Sequence, residues 1–119
     1  MDQRKITGGL ALLWWLAITW LSTRGGIPLP GFDLFQTDKL GHAAAYALFS
    51  FLLVLSWRPA SKMAYLLLYI IVFGYGVAME WVQFRFFPNR FFEIDDMVAN
   101  GIGAAGSILL FYFIGQRKK

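Results

Sequence analysis

Four long apolar runs constrain the fold of this 119-residue chain more than any other feature. They cover residues 6–22, 40–57, 63–81 and 94–115. A helix that rises about 1.5 Å per residue needs about 20 residues to cross a hydrocarbon core about 30 Å thick. Backbone polar groups in lipid must be hydrogen-bonded within their own segment. Each run is therefore predicted to be a membrane-spanning helix.

The composition excludes most other classes of protein. Hydrophobic residues make up 58% of the chain and charged residues 15%, whereas soluble domains contain roughly 25% charged residues. The absence of cysteine excludes disulfides, thiolate nucleophiles and cysteine-based metal sites. The prediction is an all-α membrane protein with a single domain, residues 1–119, built as a bundle of four transmembrane helices.

The first run begins with basic residues, as a signal peptide does. However, it carries three tryptophans, and no small-x-small cleavage site precedes Arg24, so we predict a retained span. Loop one, Thr23 to Lys39, contains glycines and prolines that prevent one continuous helix. Its apolar residues predict a partly structured loop, folded back onto the outer membrane face. The short second loop, 58–62, predicts that helices two and three are antiparallel neighbours.

Basic residues divide unequally between the two sides of the predicted bundle. Seven lie on the side of the termini and the second loop, and four lie on the other side. The seven are Arg4, Lys5, Arg58, Lys62, Arg117, Lys118 and Lys119, and the four are Arg24, Lys39, Arg85 and Arg90. Because short cytoplasmic loops carry the excess of Lys and Arg, both termini are predicted to be cytoplasmic. Topology and anionic lipid explain the positive charge, and no nucleic-acid partner is predicted.

Polar residues recur at helical spacing near one end of the spans. Asp38, His42 and Tyr46 are four residues apart, which places them on one helix face. Two further pairs, Glu80 with Gln83 and Asp96 with Asn100, each share a face of their own helix. Because helix direction alternates, these groups are predicted to meet at the outer membrane level. Polar side chains in spans usually face the bundle interior or a water-filled cavity.

Simpler interpretations exist for single members of this group. His42 could be a structural histidine with satisfied hydrogen bonds, and Asp38 and Asp96 could be ordinary acids of a first helical turn. That is the preferred interpretation of Asp95. Glu80 lies within an apolar run, where a carboxylate without a partner would be costly.

Gly101, Gly103 and Gly106 match G-x-G-x-x-G, the dinucleotide-binding pattern. The pattern requires a preceding strand and a βαβ unit, and here it lies within an apolar helix. Ala99, Gly103 and Ser107 instead predict a face of small residues for close helix packing. Gly74 and Ala78 on the third helix are the predicted counterpart. Aromatic residues are predicted to be interfacial anchors, namely Trp14, Trp15, Trp20, Trp57, Trp81 and Tyr112.

Three stretches resemble the VanZ-like family of bacterial membrane proteins, in the family's order. They contain Asp38, Lys39, His42 and Tyr46; then Glu80, Gln83, Pro88 and Arg90; then Asp96, Asn100 and Gly103. The resemblance extends over about residues 38–106 and leaves the first helix without a signature. It implies a multi-pass protein of the bacterial inner membrane, related to a protein that confers low-level teicoplanin resistance. It implies no particular reaction.

Three hypotheses of function follow. The first is an envelope factor that binds an anionic lipid, a lipid-linked precursor or a glycopeptide. Arg90 with Lys39 or Arg85 would hold phosphate or carboxylate. The remaining ligand-binding candidates are Asp38, Tyr46, Gln83 and Asn100. Glu80, Asp96 and Asn100 would fix the position of the cations.

The second hypothesis is a membrane-embedded hydrolase or transferase that acts on a lipid headgroup phosphate or ester. His42 would be general base or nucleophile, oriented by Glu80 or Asp96. The same three residues could hold a divalent metal, although no metal site and no cofactor is predicted from the sequence. The third hypothesis is structural, in which the polar cluster only joins helices two, three and four.

Overall fold

The structure is a computed structural model that describes the backbone of residues 2–22, 34–86 and 94–117. It describes the side chains of residues 2–20, 40–86 and 94–115. The four helices in this part are α1 (Gln3–Ser22), α2 (Leu34–Trp57), α3 (Lys62–Phe86) and α4 (Ile94–Arg117). Contacts between them show that successive helices alternate in direction, so that α2 and α4 are parallel.

All four helices extend beyond the predicted spans, and α2 and α3 do so by more than one turn. Residues 34–39 were predicted to belong to loop one, but they form the first turns of α2. No proline or glycine occurs between Gly31 and Gly41, so nothing in this segment opposes a helix. Likewise α3 continues beyond Trp81 to Phe86, two residues before Pro88. The rest of loop one, 23–33, lies outside the described residues.

Three helices of the described part are long and apolar enough to cross a membrane. The apolar segments are Leu40–Trp57, Lys62–Phe86 and Ile94–Gly115, and only 28% of the residues in each are buried. Their exposed apolar side chains form a lateral surface of the kind that lipid covers. The 20-residue α1 is not among them. A fourth span therefore remains a prediction.

The α1 helix packs antiparallel on α2 along its length. At its start, Arg4 Nε and Nη2 donate hydrogen bonds of 2.9 and 3.2 Å to the carbonyls of Ser56 and Trp57. These carbonyls belong to the last turn of α2, whose carbonyls lack partners within the helix. Near its middle, Trp14 Nε1 donates a 2.9 Å hydrogen bond to the carbonyl of Ala45.

The turn between α2 and α3 is as short as predicted. Arg58 has a positive φ of 56° and donates its N–H to the Val54 carbonyl at 2.8 Å, which ends α2 in a left-handed cap. Pro59 follows, and Ser61 caps the start of α3, where its side-chain oxygen accepts a 3.1 Å hydrogen bond from the Ala64 N–H. The two helices are in contact, as predicted, but α2 packs most extensively against α4.

Small residues allow α2 and α4 to approach closely. A Cβ atom added to Gly103 would lie 2.0 Å from the Ala43 carbonyl oxygen. One turn further along both helices, Ser107 Oγ donates a 2.7 Å hydrogen bond to the carbonyl of Ala47. The predicted packing face on α4 is confirmed. Its predicted counterpart on α3 is wrong, because Gly74 and Ala78 are exposed and the counterpart is α2.

Aromatic side chains fill the interior next to this contact. The Tyr75 ring lies 6.1, 6.5 and 6.3 Å from the rings of Trp15, Tyr46 and Phe49. The Tyr75 hydroxyl is also hydrogen-bonded to Thr19 of α1. Trp15 packs against the core, as Trp14 does, so the prediction that these two tryptophans are interfacial anchors is wrong. They lie near the middle of α1 rather than at an end.

Candidate functional site

The polar end of the bundle is formed by the start of α2, the end of α3 and the start of α4. Four polar side chains are almost completely buried there: Glu80 is 3% exposed, Gln83 4%, Asp96 3% and Asn100 2%. Burying such groups is costly unless they are paired. Glu80 and Gln83 lie on one face of α3, and Asp96 and Asn100 lie one turn apart on α4.

His42 brings α2 into this group. Its Nδ1 lies 3.0 Å from Asn100 Oδ1, and its Nε2 lies 3.6 Å from Asp96 Oδ2. Both ring nitrogens of His42 therefore face α4. The close approach of the two helices at Gly103, one turn beyond Asn100, makes these distances possible.

Glu80 completes the cluster from α3. One side-chain ligand atom each of His42, Glu80 and Asp96 lie within 4.8 Å of one another. We call these three residues the triad. An imidazole and two carboxylates from three different helices can accept, donate or relay protons, and they can hold a cation.

Gly76 of α3 packs against the site on the side that faces the middle of the bundle. A Cβ atom on Gly76 would lie 3.1 Å from Asn100 Nδ2 and 3.3 Å from Tyr46 Cε1. Tyr46 was predicted to bind ligand, but it is 3% exposed and its ring belongs to the aromatic core. Tyr46 Cε1 and Asn100 Nδ2 therefore both lie next to Gly76. Gly76 carries no motif signal in the sequence, although it lies four residues before Glu80 on the same helix face.

The structure brings together most of the predicted site residues that it describes. These are His42, Glu80, Asp96 and Asn100, with Gln83 buried at the same end. Asp38 and Lys39 lie in the first turns of α2, and their side chains are outside the described part. Arg90 is outside the described residues altogether.

Two neighbouring charged residues lie on the surface. Arg85 is exposed, and its guanidinium carbon lies 5.5 Å from the centre of the Phe86 ring. Arg85, a predicted alternative to Lys39 in binding phosphate or carboxylate, therefore lies outside the buried cluster. Asp95 is exposed in the first turn of α4, which agrees with its interpretation as a first-turn acid.

A separate groove of about 430 Å³ lies between α3 and α4. It is lined mainly by apolar residues and by the rings of Tyr65, Tyr69 and Tyr112, with Lys62 at one end. Lys62 begins α3 and Tyr112 is near the end of α4, so this groove lies towards the end of the bundle opposite the triad.

The fold and the site together define a class of protein: an all-helical membrane protein with a buried polar cluster at one end of its helices. Within that class the chain belongs to the VanZ/LLP1 family, whose model matches residues 5–115. This confirms the resemblance found in the sequence, and it extends the family region over α1. No curated protein and no solved structure matches the chain.

Proposed function

We propose that this protein is a cell-envelope factor that binds the anionic headgroup of a membrane lipid or a lipid-linked envelope precursor at its polar end. The observation that supports the proposal is the convergence of the triad, Gln83 and Asn100 from three apolar helices. Burying four polar side chains only to join helices is an expensive solution, because apolar packing would serve as well.

The surface around the polar end is suited to a lipid ligand. Exposed apolar side chains surround it on the three helices, among them Leu40, Trp81, Phe84, Ile94 and Val98. A lipid chain can lie against such a surface while its headgroup reaches the polar side chains. In this proposal Lys39 and Arg90 contribute positive charge to a phosphate or carboxylate.

The orientation of the protein is part of the proposal. The excess of basic residues at the other end of the bundle supports an orientation with that end in the cytoplasm and the polar end in the outer leaflet of the bacterial inner membrane. A protein that holds a lipid-linked precursor there would limit the access of glycopeptides to it. Low-level resistance to teicoplanin is the expected consequence.

Expression in a sensitive host tests this function. Wild type, Glu80→Gln and Asp96→Asn would be compared with Tyr112→Phe, a control at the opposite end of the bundle. Teicoplanin susceptibility, membrane-lipid profile and folded yield would be measured together. We expect wild type and Tyr112→Phe to reduce susceptibility, and at least one triad variant to lose the effect at normal yield and with unchanged lipids. Loss of effect only in parallel with yield would favour a structural role and contradict the proposal.

A second candidate function is a membrane-embedded enzyme acting on a headgroup phosphate or ester. The favouring observation is that His42 contacts Asn100 through Nδ1 and faces Asp96 through Nε2. Such fixed orientation is what a general base requires. Purified protein would be incubated with phospholipid or polyprenyl phosphate, with and without Mg²⁺, Mn²⁺ or Zn²⁺. Product that forms with wild type but not with His42→Gln would establish this function, whereas no product under any condition would contradict it.

A further inference from the structure

We propose that the triad of His42, Glu80 and Asp96 is a binding site for a divalent metal ion of the Zn²⁺ type. Two facts carry the proposal: the orientation of the imidazole, and the spacing of the three ligand atoms, two of which belong to buried carboxylates.

Asn100 fixes the imidazole in the orientation that a metal ligand needs. Its Oδ1 can only accept a hydrogen bond, so His42 Nδ1 carries the proton and donates it at 3.0 Å. In the neutral ring Nε2 then presents a lone pair towards Asp96 Oδ2. Metal-binding histidines typically donate their other N–H to a carbonyl or carboxylate in this way.

The spacing between ligand atoms fits a shared cation. His42 Nε2 and Asp96 Oδ2 are 3.6 Å apart, which is longer than the usual range of about 2.7–3.2 Å for an N–H···O hydrogen bond. Two ligands at about 2.1 Å from one tetrahedral metal ion are separated by about 3.4 Å. Glu80 supplies the third ligand, because all three ligand atoms lie within 4.8 Å of one another. Small side-chain rotations would bring them to bonding distance.

Charge favours a cation at the same place. Glu80 and Asp96 are each 3% exposed, and ionised carboxylates in an apolar bundle are costly unless they are paired or coordinate a metal. A divalent ion neutralises both. One imidazole with two carboxylates suits Zn²⁺ and Mn²⁺ better than Mg²⁺, which prefers oxygen ligands and keeps several waters.

Three protein ligands leave an open position on a four-coordinate ion. This further step rests on the proposed function: an oxygen of the anionic headgroup would occupy that position. The cation would then explain how a cluster rich in carboxylates can bind an anion.

Metal titration of the purified full-length chain tests the site. Chelator-treated protein in detergent would be titrated with Zn²⁺, Mn²⁺ and Mg²⁺ by calorimetry, and its Tm would be measured with and without each ion. We expect one Zn²⁺ per chain, a raised Tm, and weaker binding of Mg²⁺. His42→Gln and Asp96→Asn should each weaken Zn²⁺ binding at least tenfold.

Asp95→Asn is the matched control, because it removes the exposed acid next to Asp96 and should bind Zn²⁺ like wild type. X-ray absorption of the Zn²⁺-loaded wild type adds a readout that does not depend on variant folding, and it should show nitrogen and oxygen ligands with one imidazole. A wild type that binds neither Zn²⁺ nor Mn²⁺ would overturn the proposal and leave an ordinary histidine–carboxylate pair. Equal binding by Asp96→Asn would overturn it as well.

The link to the headgroup is measured separately, with vesicles of phosphatidylcholine that contain polyprenyl phosphate. Metal binding without headgroup binding would support the metal site and contradict the proposed function. Headgroup binding that is equal in metal-loaded and chelated protein would support the function and overturn the bridging role of the cation. Headgroup binding that requires Zn²⁺ is the expected result.

Discussion

At the scale of single residues, the polar end depends on how Asn100 is held. Its Oδ1 orients His42, and its Nδ2 lies on the side of Gly76 and Tyr46. A side chain that is 2% exposed and in contact with two neighbouring helices has little freedom to move. The geometry of the triad is thus set in part by a residue that the ligand need not touch.

Gly76→Ala tests this dependence. Its new Cβ would meet Asn100 Nδ2 at 3.1 Å and Tyr46 Cε1 at 3.3 Å, so Asn100 must shift by a few tenths of an ångström. We expect weaker ligand binding at the polar end, with a loss of stability of roughly 1 kcal/mol. Binding and the free energy of unfolding would both be measured. Gly74→Ala is the control, since a Cβ there meets nothing within 4 Å; identical binding by both variants would show that Asn100 does not orient the site.

Substitutions of two serines in α2 are predicted to change the stability of the protein in opposite directions. Ser50 is completely buried, and its hydroxyl has no hydrogen-bond partner among the residues that the structure describes. Ser50→Ala removes a polar group whose burial is uncompensated, so we expect it to stabilise the protein by about 1 kcal/mol. Ser56 Oγ donates to the Arg4 carbonyl at 3.2 Å, so Ser56→Ala should destabilise it slightly. Unfolding titrations of both variants would check this, and a clear loss of stability in Ser50→Ala would show that its hydroxyl is bonded.

Residue spacing predicted which side chains share a face, but not which pairs meet. Asp38, His42 and Tyr46 are equivalent by spacing, yet His42 contacts α4 whereas Tyr46 packs into the aromatic core. The difference arises from their positions along α2, because the aromatic core begins one helical turn after His42, towards the middle of the bundle. Gly76 was not predicted for a related reason. In the sequence, a glycine that allows a neighbouring side chain to approach cannot be distinguished from any other glycine in an apolar run.

At the scale of helices, the parallel pair α2 and α4 organises the bundle. Gly103 lies against the Ala43 backbone, and Ser107 bonds to Ala47 one turn away. Lipid tails are as apolar as the side chains, so association in a membrane depends on such close packing and on interhelical hydrogen bonds. This contact also sets the distance between His42 and the two polar residues of α4.

Gly103→Ala should force α2 and α4 apart. Its Cβ would lie 2.0 Å from the Ala43 carbonyl oxygen and 2.9 Å from Ala43 Cα, and backbone atoms cannot move aside as a side chain can. We expect a loss of stability of roughly 3 kcal/mol. Gly106→Ala, three residues further on an open face of the same helix, should be nearly neutral. Thermal unfolding in detergent would compare them, and a Gly103→Ala variant as stable as Gly106→Ala would contradict this packing.

Hydropathy predicted that the helices exist, because each apolar run is long. It did not predict their packing partners. The short turn after Trp57 makes α2 and α3 neighbours in the chain, but small side chains decide which helices approach most closely, and on α2 these are Ala43 and Ala47. Helix ends were also poorly predicted, since helices continue beyond the apolar runs into polar sequence such as residues 34–39.

At the scale of the whole molecule, charge and polarity separate along the bundle. One end carries Arg4, Lys5, Arg58 and Lys62, and the other carries the triad with the buried Gln83 and Asn100. The groove with Lys62 belongs to the basic end. This asymmetry allows the orientation of the protein to be tested independently of any ligand.

Cysteine labelling tests the orientation cleanly, because the natural chain contains no cysteine. Arg85→Cys would place a thiol at the polar end and Lys62→Cys at the basic end, both at exposed positions. A membrane-impermeant maleimide should label Arg85→Cys on intact spheroplasts, and should label Lys62→Cys only after lysis. The reverse pattern would place the polar end at the cytoplasmic leaflet.

Photo-crosslinking determines whether the polar end binds an anionic headgroup. A polyprenyl phosphate with a photoreactive group next to the phosphate would be mixed with the protein in vesicles, and the labelled peptides would be mapped by mass spectrometry. We expect crosslinks within residues 40–46, 80–84 and 94–100 that unlabelled polyprenyl phosphate competes away. Crosslinks confined to the groove near Lys62 and Tyr112, or scattered over the lipid-facing surface, would contradict it.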